Sequence, residues 1–216
     1  MLAHLESLLR ARKLDVTLTA GVGAHVPPDR MAATGCPDLD AVLGGGLRRG
    51  HLSEIIGPAS SGRTTLMVNA LAAATSRGEV AALVDTYDTF DPASAAGHGV
   101  DLTRVLWVRG TNDPGRALKA YSLILQAGGF GLAAFDLSDA PPAALRGFPW
   151  TTWMRIARII EGGDTVALLV GLDHLARSSG GATIALTAAR AQWSGNTHRA
   201  RLFAGVTPAP RVVTGR

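Results

Sequence analysis

The nine residues Gly57-Pro58-Ala59-Ser60-Ser61-Gly62-Arg63-Thr64-Thr65 constrain this chain more than any other feature. They have the G-x-x-x-x-G-[K]-[ST] spacing, follow the strand candidate His51 to Gly57 and open the helix candidate Gly62 to Arg77. A phosphate-binding loop needs that strand–loop–helix context. Its glycines let the backbone fold into a nest of N–H groups, and the helix N-terminus adds its positive end. Gly57, Ser60, Ser61, Gly62, Arg63, Thr64 and Thr65 are therefore the candidate nucleotide-binding set, with the Thr64 hydroxyl placed for Mg²⁺. Arg63 departs from the pattern. Lysine is a compact point charge and arginine a longer planar fork, so the exchange is not conservative. Two readings stay open: a nucleotide site that hydrolyses poorly, or a loop kept only as a turn that packs the helix.

Around this loop the pattern alternates between short apolar runs and helical spacing. Strand candidates are Glu79 to Asp85, Val105 to Arg109, Phe130 to Asp136, Thr165 to Leu172 and Thr183 to Thr187. Helix candidates start at Pro92 and span Pro114 to Ala127 and Trp150 to Glu161. Strands separated by helices of this length predict an α/β fold, a mostly parallel sheet covered on both faces. Arg201 to Val206 and Arg211 to Val213 are expected as edge strands. Residues 1–14 read as a short amphipathic helix with Leu2, Leu5, Leu8 and Leu9 on one face, a candidate interaction arm. Residues 15–33, with Gly21, Gly23, Pro27 and Pro28, read as a linker, 34–206 as the core and 207–216 as a basic tail.

Composition narrows the function classes. A chain of 216 residues with 47% hydrophobic content can bury a core, and a net charge of +4 excludes a disordered polyelectrolyte. Cys36 is alone, so no intrachain disulfide exists; it reads as a small residue in the turn before Pro37. No apolar run approaches the ~20 residues of a membrane span. Glu6 and the lack of a long apolar N-terminal stretch argue against a secretory signal, so a cytoplasmic location is expected. The histidines His4, His25, His51, His98, His174 and His198 show no ligand spacing, which argues against a zinc site. No serine sits in a nucleophile elbow.

The positive balance is concentrated. Residues 171–216 hold six Arg against one acid, Asp173. Arg177, Arg190, Arg199, Arg201 and Arg211, with Trp193 for stacking, are candidates for single-stranded DNA, set against the plain alternative of a solvated surface. Asp136 ends an apolar strand and, in a protein with a phosphate loop, is the candidate second Mg²⁺ residue. Asp85, Asp88 and Asp91 end another buried strand and its loop, where α/β sheets place ligands. Capping of the helix after Pro92 accounts equally for Asp91.

Taken in order, Thr34-Gly35-Cys36-Pro37-Asp38-Leu39-Asp40, Leu43 to Leu47, Gly50 to Thr65, Val84-Asp85, Asp91-Pro92, Gly99-Val100-Asp101 and Asp136 resemble the core of the RecA recombinases. The resemblance implies a RecA-like core binding ATP or ADP with Mg²⁺, with Asp91 at the adenine. It also carries departures. Tyr87 stands at the position of the family's catalytic Glu, with Asp88 beside it. Ser94 replaces the aromatic residue over the base, and nothing matches the paired lysines that reach a neighbour's ATP. The segments matching the two DNA loops shrink to about Leu137–Phe148 and Asp173–Gly181, and the large C-terminal domain has no counterpart.

With Arg63 and Tyr87 both altered, the chain is most similar to the ImuA family, short RecA-like accessory proteins of SOS mutagenesis. Pro92-Ala93-Ser94-Ala95 and Trp150 to Arg158 have the character of that family. The resemblance implies an accessory role in translesion synthesis through contacts with RecA or polymerase subunits, with Leu2, Leu5 and Leu9 as partner-binding candidates. The alternative is an active ATPase of the RecA or circadian-clock type, using Asp85 or Asp88 as base.

Overall fold

The computed structural model describes residues 27–110, 112–176, 180–197 and 199–213. The strands are β1 (Met31–Ala32), β2 (Leu47–Arg48), β3 (Leu52–Ile56), β4 (Ala81–Asp85), β5 (Val105–Arg109), β6 (Leu132–Asp136), β7 (Val166–Gly171), β8 (Thr183–Ser194) and β9 (Leu202–Val213). The helices are α1 (Pro37–Leu43), α2 (Arg63–Ser76), α3 (Pro92–Gly97), α4 (Pro114–Ala127), α5 (Pro142–Leu145) and α6 (Trp150–Ile160). Seven strands form one sheet in the order β5-β4-β6-β7-β3-β8-β9. All neighbours are parallel except the β8–β9 pair, which is antiparallel. β1 and β2 form a separate two-stranded antiparallel ribbon.

The central strands β4, β6 and β7 are apolar up to the acids that end β4 and β6, because both of their faces are covered. Alternation then sorts side chains between two cores. Ala81 and Leu83 of β4 pack with Leu66, Met67, Leu71 and Ala74 of α2, while Ala82 and Val84 pack with Tyr121, Ile124 and Leu125 of α4 and Trp153 and Ile156 of α6. The predicted strands and helices agree with these elements to within a few residues. The prolines at 37, 92 and 114 each occupy the first turn of a helix, where the missing N–H costs nothing.

The C-terminal part departs from expectation. β8 runs on past Thr187 to Ser194, and the two expected edge strands are one, β9. A boundary at 206/207 falls inside β9, so residues 207–213 complete the sheet instead of forming a tail. Pro208 and Pro210 interrupt the sequence pattern, yet β9 is an edge strand, where proline is tolerated. β3 pairs with β8 only from Thr183 to Ala185. The remaining hairpin extends roughly 25 Å beyond that pairing. Residues 1–14, with Leu2, Leu5 and Leu9, most of the 15–33 linker and Arg177 lie outside the described residues. Among the described residues no helix is long and apolar enough to cross a membrane.

Candidate nucleotide site

The phosphate loop sits where β3 ends at the carboxyl edge of the sheet. The Gly57 N–H donates to the Gly171 carbonyl at 3.3 Å, which ties the loop to β7. Ser60 and Gly62 both have left-handed backbone, φ 60° and 94°. A Cβ on Gly62 would stand 2.9 Å from Cβ of Pro208, and one on Gly57 only 2.3 Å from the Leu186 carbonyl oxygen. These glycines are required by the two C-terminal strands packed over the loop. α2 begins at Arg63 with no side-chain cap, so its first N–H groups stay free to meet an anion.

Buried polar atoms without partners gather here. Ser61 is 2% exposed and Arg63 7% exposed. Ser61 Oγ and Arg63 Nη1 are both buried with no hydrogen-bond partner. Each such group costs about 1–3 kcal/mol, and native proteins keep few of them without a reason such as an absent ligand. Burial lowers the Arg63 pKa, and the carboxylates of Asp136 and Asp139 act against that shift. Thr64 is exposed and Thr65 half-buried.

Asp136 ends β6, buried, with Oδ1 accepting the Ser138 N–H at 2.8 Å. Burial raises its pKa; hydrogen bonds from Ser138 oppose this, and Asp85 and Asp139 add to it. Thr64 and Asp136 stand where a hydroxyl and a carboxylate would hold a nucleotide's divalent ion, but Asp136 already spends Oδ1 on the Ser138 N–H and feels the charge of the buried Arg63.

The acids after β4 are committed elsewhere. Asp85 accepts N–H bonds from Thr89 (3.0 Å), Phe90 (2.9 Å) and the Trp107 indole (3.3 Å), so it shapes the turn. Asp88, with φ 58°, is gripped at both oxygens by Arg109, each at 2.9 Å. The Arg109 hydrogen bond holds its carboxyl below the usual range. Tyr87 is half-buried against the α4–α6 core. Burial, then Asp113 and Asp139, push its phenol pKa up, so it is protonated at neutral pH. Asp91 caps α3, accepting from Ala93 N (3.1 Å), Ser94 N (3.2 Å) and Ser94 Oγ. Ser94 offers no ring for a base to stack on.

Glu54 was not among the sequence candidates. It is 2% exposed in the middle of β3. Its carboxylate accepts the backbone N–H groups of Leu175 (2.9 Å) and Ala176 and pairs with His174. Burial raises its pKa, while the Ala176 bond and His174 pull it back. It thereby anchors the segment leading from β7 toward residue 180. An acid inside the apolar run Leu52 to Ile56 was the available signal.

Arg190, Arg199 and Arg201 are exposed on the β8–β9 hairpin. Trp193 and Phe203, 53% and 59% exposed, meet edge to face at 5.7 Å between ring centres. No acid occurs from residue 180 to 213. The β8–β9 hairpin thus carries four of the five candidate arginines, Arg190, Arg199, Arg201 and Arg211, together with an exposed aromatic pair.

Comparison with known proteins adds a family. A model described as RecA N-terminal domain matches residues 5–144. Protein RecA of Chlorobaculum tepidum is 40% identical over 121 residues, 55% of this chain and 35% of that protein. Protein RecA of Kineococcus radiotolerans is 38% identical over 124 residues, 56% and 35% of the two chains. Protein RecA of a Synechococcus species is 49% identical over 74 residues, 34% and 20% of the two. The matched region spans about a third of the length of the first two relatives.

Proposed function

The chain belongs to the RecA family through its RecA N-terminal domain, and from that premise we propose that it is a non-motor accessory protein of ImuA type. In this reading it keeps the fold as a docking platform in damage-induced mutagenesis. It meets RecA or translesion polymerase subunits, and single-stranded DNA through the hairpin. The phosphate loop binds ATP or ADP and turns it over poorly. The observation that carries the reading is the occupancy of the general-base position. Tyr87 is protonated at neutral pH, and the adjacent Asp88 is held by Arg109. Phosphoryl transfer to water needs a group that positions and deprotonates the attacking water. The unpartnered Ser61 and Arg63 support retention of an anion site, and the exposed Arg190, Arg199 and Arg201 support a polyanionic partner.

Phosphate release from ATP, measured with and without single-stranded DNA, tests the catalytic part. Background release is expected from the natural chain. Sustained turnover would instead favour an active RecA-like or circadian-clock-like ATPase. Partner contact is tested by capture of RecA. Replacing Leu2, Leu5 and Leu9 together with Ala should abolish capture while the fold, read by circular dichroism, stays intact.

A further inference from the structure

Arg63 opens α2 with its guanidinium turned inward. It is 7% exposed, and Nη1 has no partner. Ser61 Oγ from the loop is stranded in the same way. Both atoms are hydrogen-bond donors, and the free N–H groups at the start of α2 add more. Such a cluster calls for a ligand rich in acceptors. A polyphosphate supplies several oxygens, and a guanidinium can bind two of them in one plane.

Nucleotide sites commonly use a divalent ion to neutralise the phosphate oxygens, held by a hydroxyl and by a carboxylate free to receive it. Here that carboxylate, Asp136, already feels a protein cation, and it spends Oδ1 on the Ser138 N–H. Thr64 faces solvent. A guanidinium stays charged at neutral pH and cannot be chelated away.

We propose that Arg63 takes the place of the divalent cation, so that the loop binds the polyphosphate of a nucleoside di- or triphosphate without magnesium. The proposal rests on the nucleotide-site reading above and adds how the phosphate charge is met. A site of this kind loses the ion that helps drive phosphoryl transfer and keeps the affinity, which suits a nucleotide sensor better than a motor.

The test is calorimetric titration of ADP into the 216-residue chain, once with millimolar magnesium and once with excess EDTA. The expected affinities agree within about threefold. Binding at least tenfold weaker in EDTA overturns the proposal and leaves the nucleotide site standing. Absence of heat in both buffers, with the chain folded, overturns the nucleotide-site reading and the proposal with it. Arg63→Lys should restore magnesium dependence, its affinity falling at least tenfold on adding EDTA. Should that variant fail to fold, Asp136→Asn decides. Unchanged affinity in both buffers supports the proposal, and a tenfold loss confined to magnesium buffer refutes it.

Discussion

Arg109 donates from Nε and Nη2 to the two oxygens of Asp88, each at 2.9 Å, with its guanidinium carbon 4.5 Å from the centre of the Trp107 ring. The pair joins the end of β5 to the turn after β4 and takes up the acid next to Tyr87. In the reading proposed above, this geometry keeps the carboxylate beside Tyr87 from serving as a base. Arg109→Ala releases Asp88, yet Asp88 projects toward β5 from a left-handed backbone. Phosphate release should therefore stay at background. The pair is exposed, so the thermal midpoint should move by no more than about 2 °C. Turnover appearing in this variant would show that Asp88 can act as base.

Gly57 tests the packing of the C-terminal strands over the loop. A Cβ there would lie 2.3 Å from the Leu186 carbonyl oxygen and 2.8 Å from Ser61 Oγ, on a backbone with φ 156°. Gly57→Ala must displace β8 or the loop. A loss of about 1–3 kcal/mol is expected in urea denaturation, together with loss of ADP binding. Unchanged stability would mean that β8 does not bear on the loop.

Glu79 predicts a pH dependence. Burial pushes its pKa up, but hydrogen bonds from Arg77 and Arg49 more than reverse this, leaving it below its ordinary value of 4.5. An acid with a depressed folded-state pKa adds stability above its unfolded value, and that stability is lost as pH falls through the folded value. Glu79→Gln should cost about 1 kcal/mol or less at pH 7, since the carboxylate is partly solvated. The difference from the natural chain should shrink on acidification below 4.5. Denaturant melts across that range would show it; a difference independent of pH would assign the loss to packing.

The hairpin makes a salt-dependence prediction. Three phosphate contacts on single-stranded DNA contribute a log–log salt slope of roughly 2. Replacing Arg190, Arg199 and Arg201 together with Ala should weaken binding and flatten the slope by about that amount. Fluorescence anisotropy with a labelled oligonucleotide measures both. A slope unaffected by the triple substitution would place DNA elsewhere on the protein or nowhere.

Much of this molecule was legible in its local patterns. The loop from Gly57 to Thr65 declares itself because a phosphate nest needs particular residues at short, fixed spacing. β4, β6 and β7 declare themselves because doubly covered strands must be apolar without interruption. Arg63 is visible as a departure for the same reason, whereas Tyr87 is one only against the resemblance to the RecA recombinases. What local pattern could not settle is whatever depends on contacts between distant segments. Nothing near Asp88 announces Arg109, 21 residues on. Nothing near Gly62 announces Pro208 above it. Pro208 and Pro210 made β9 look broken, and only its place at the sheet edge lets it run unbroken to Val213. Glu54, inside the strand candidate His51 to Gly57, drew no reading from the sequence, and its role shows only where the fold brings the amides of Leu175 and Ala176 to it. Short-range geometry is written in residue spacing. The partner that satisfies a buried charge is chosen by the tertiary fold, because desolvation and hydrogen bonding act between whatever groups the packed chain brings together.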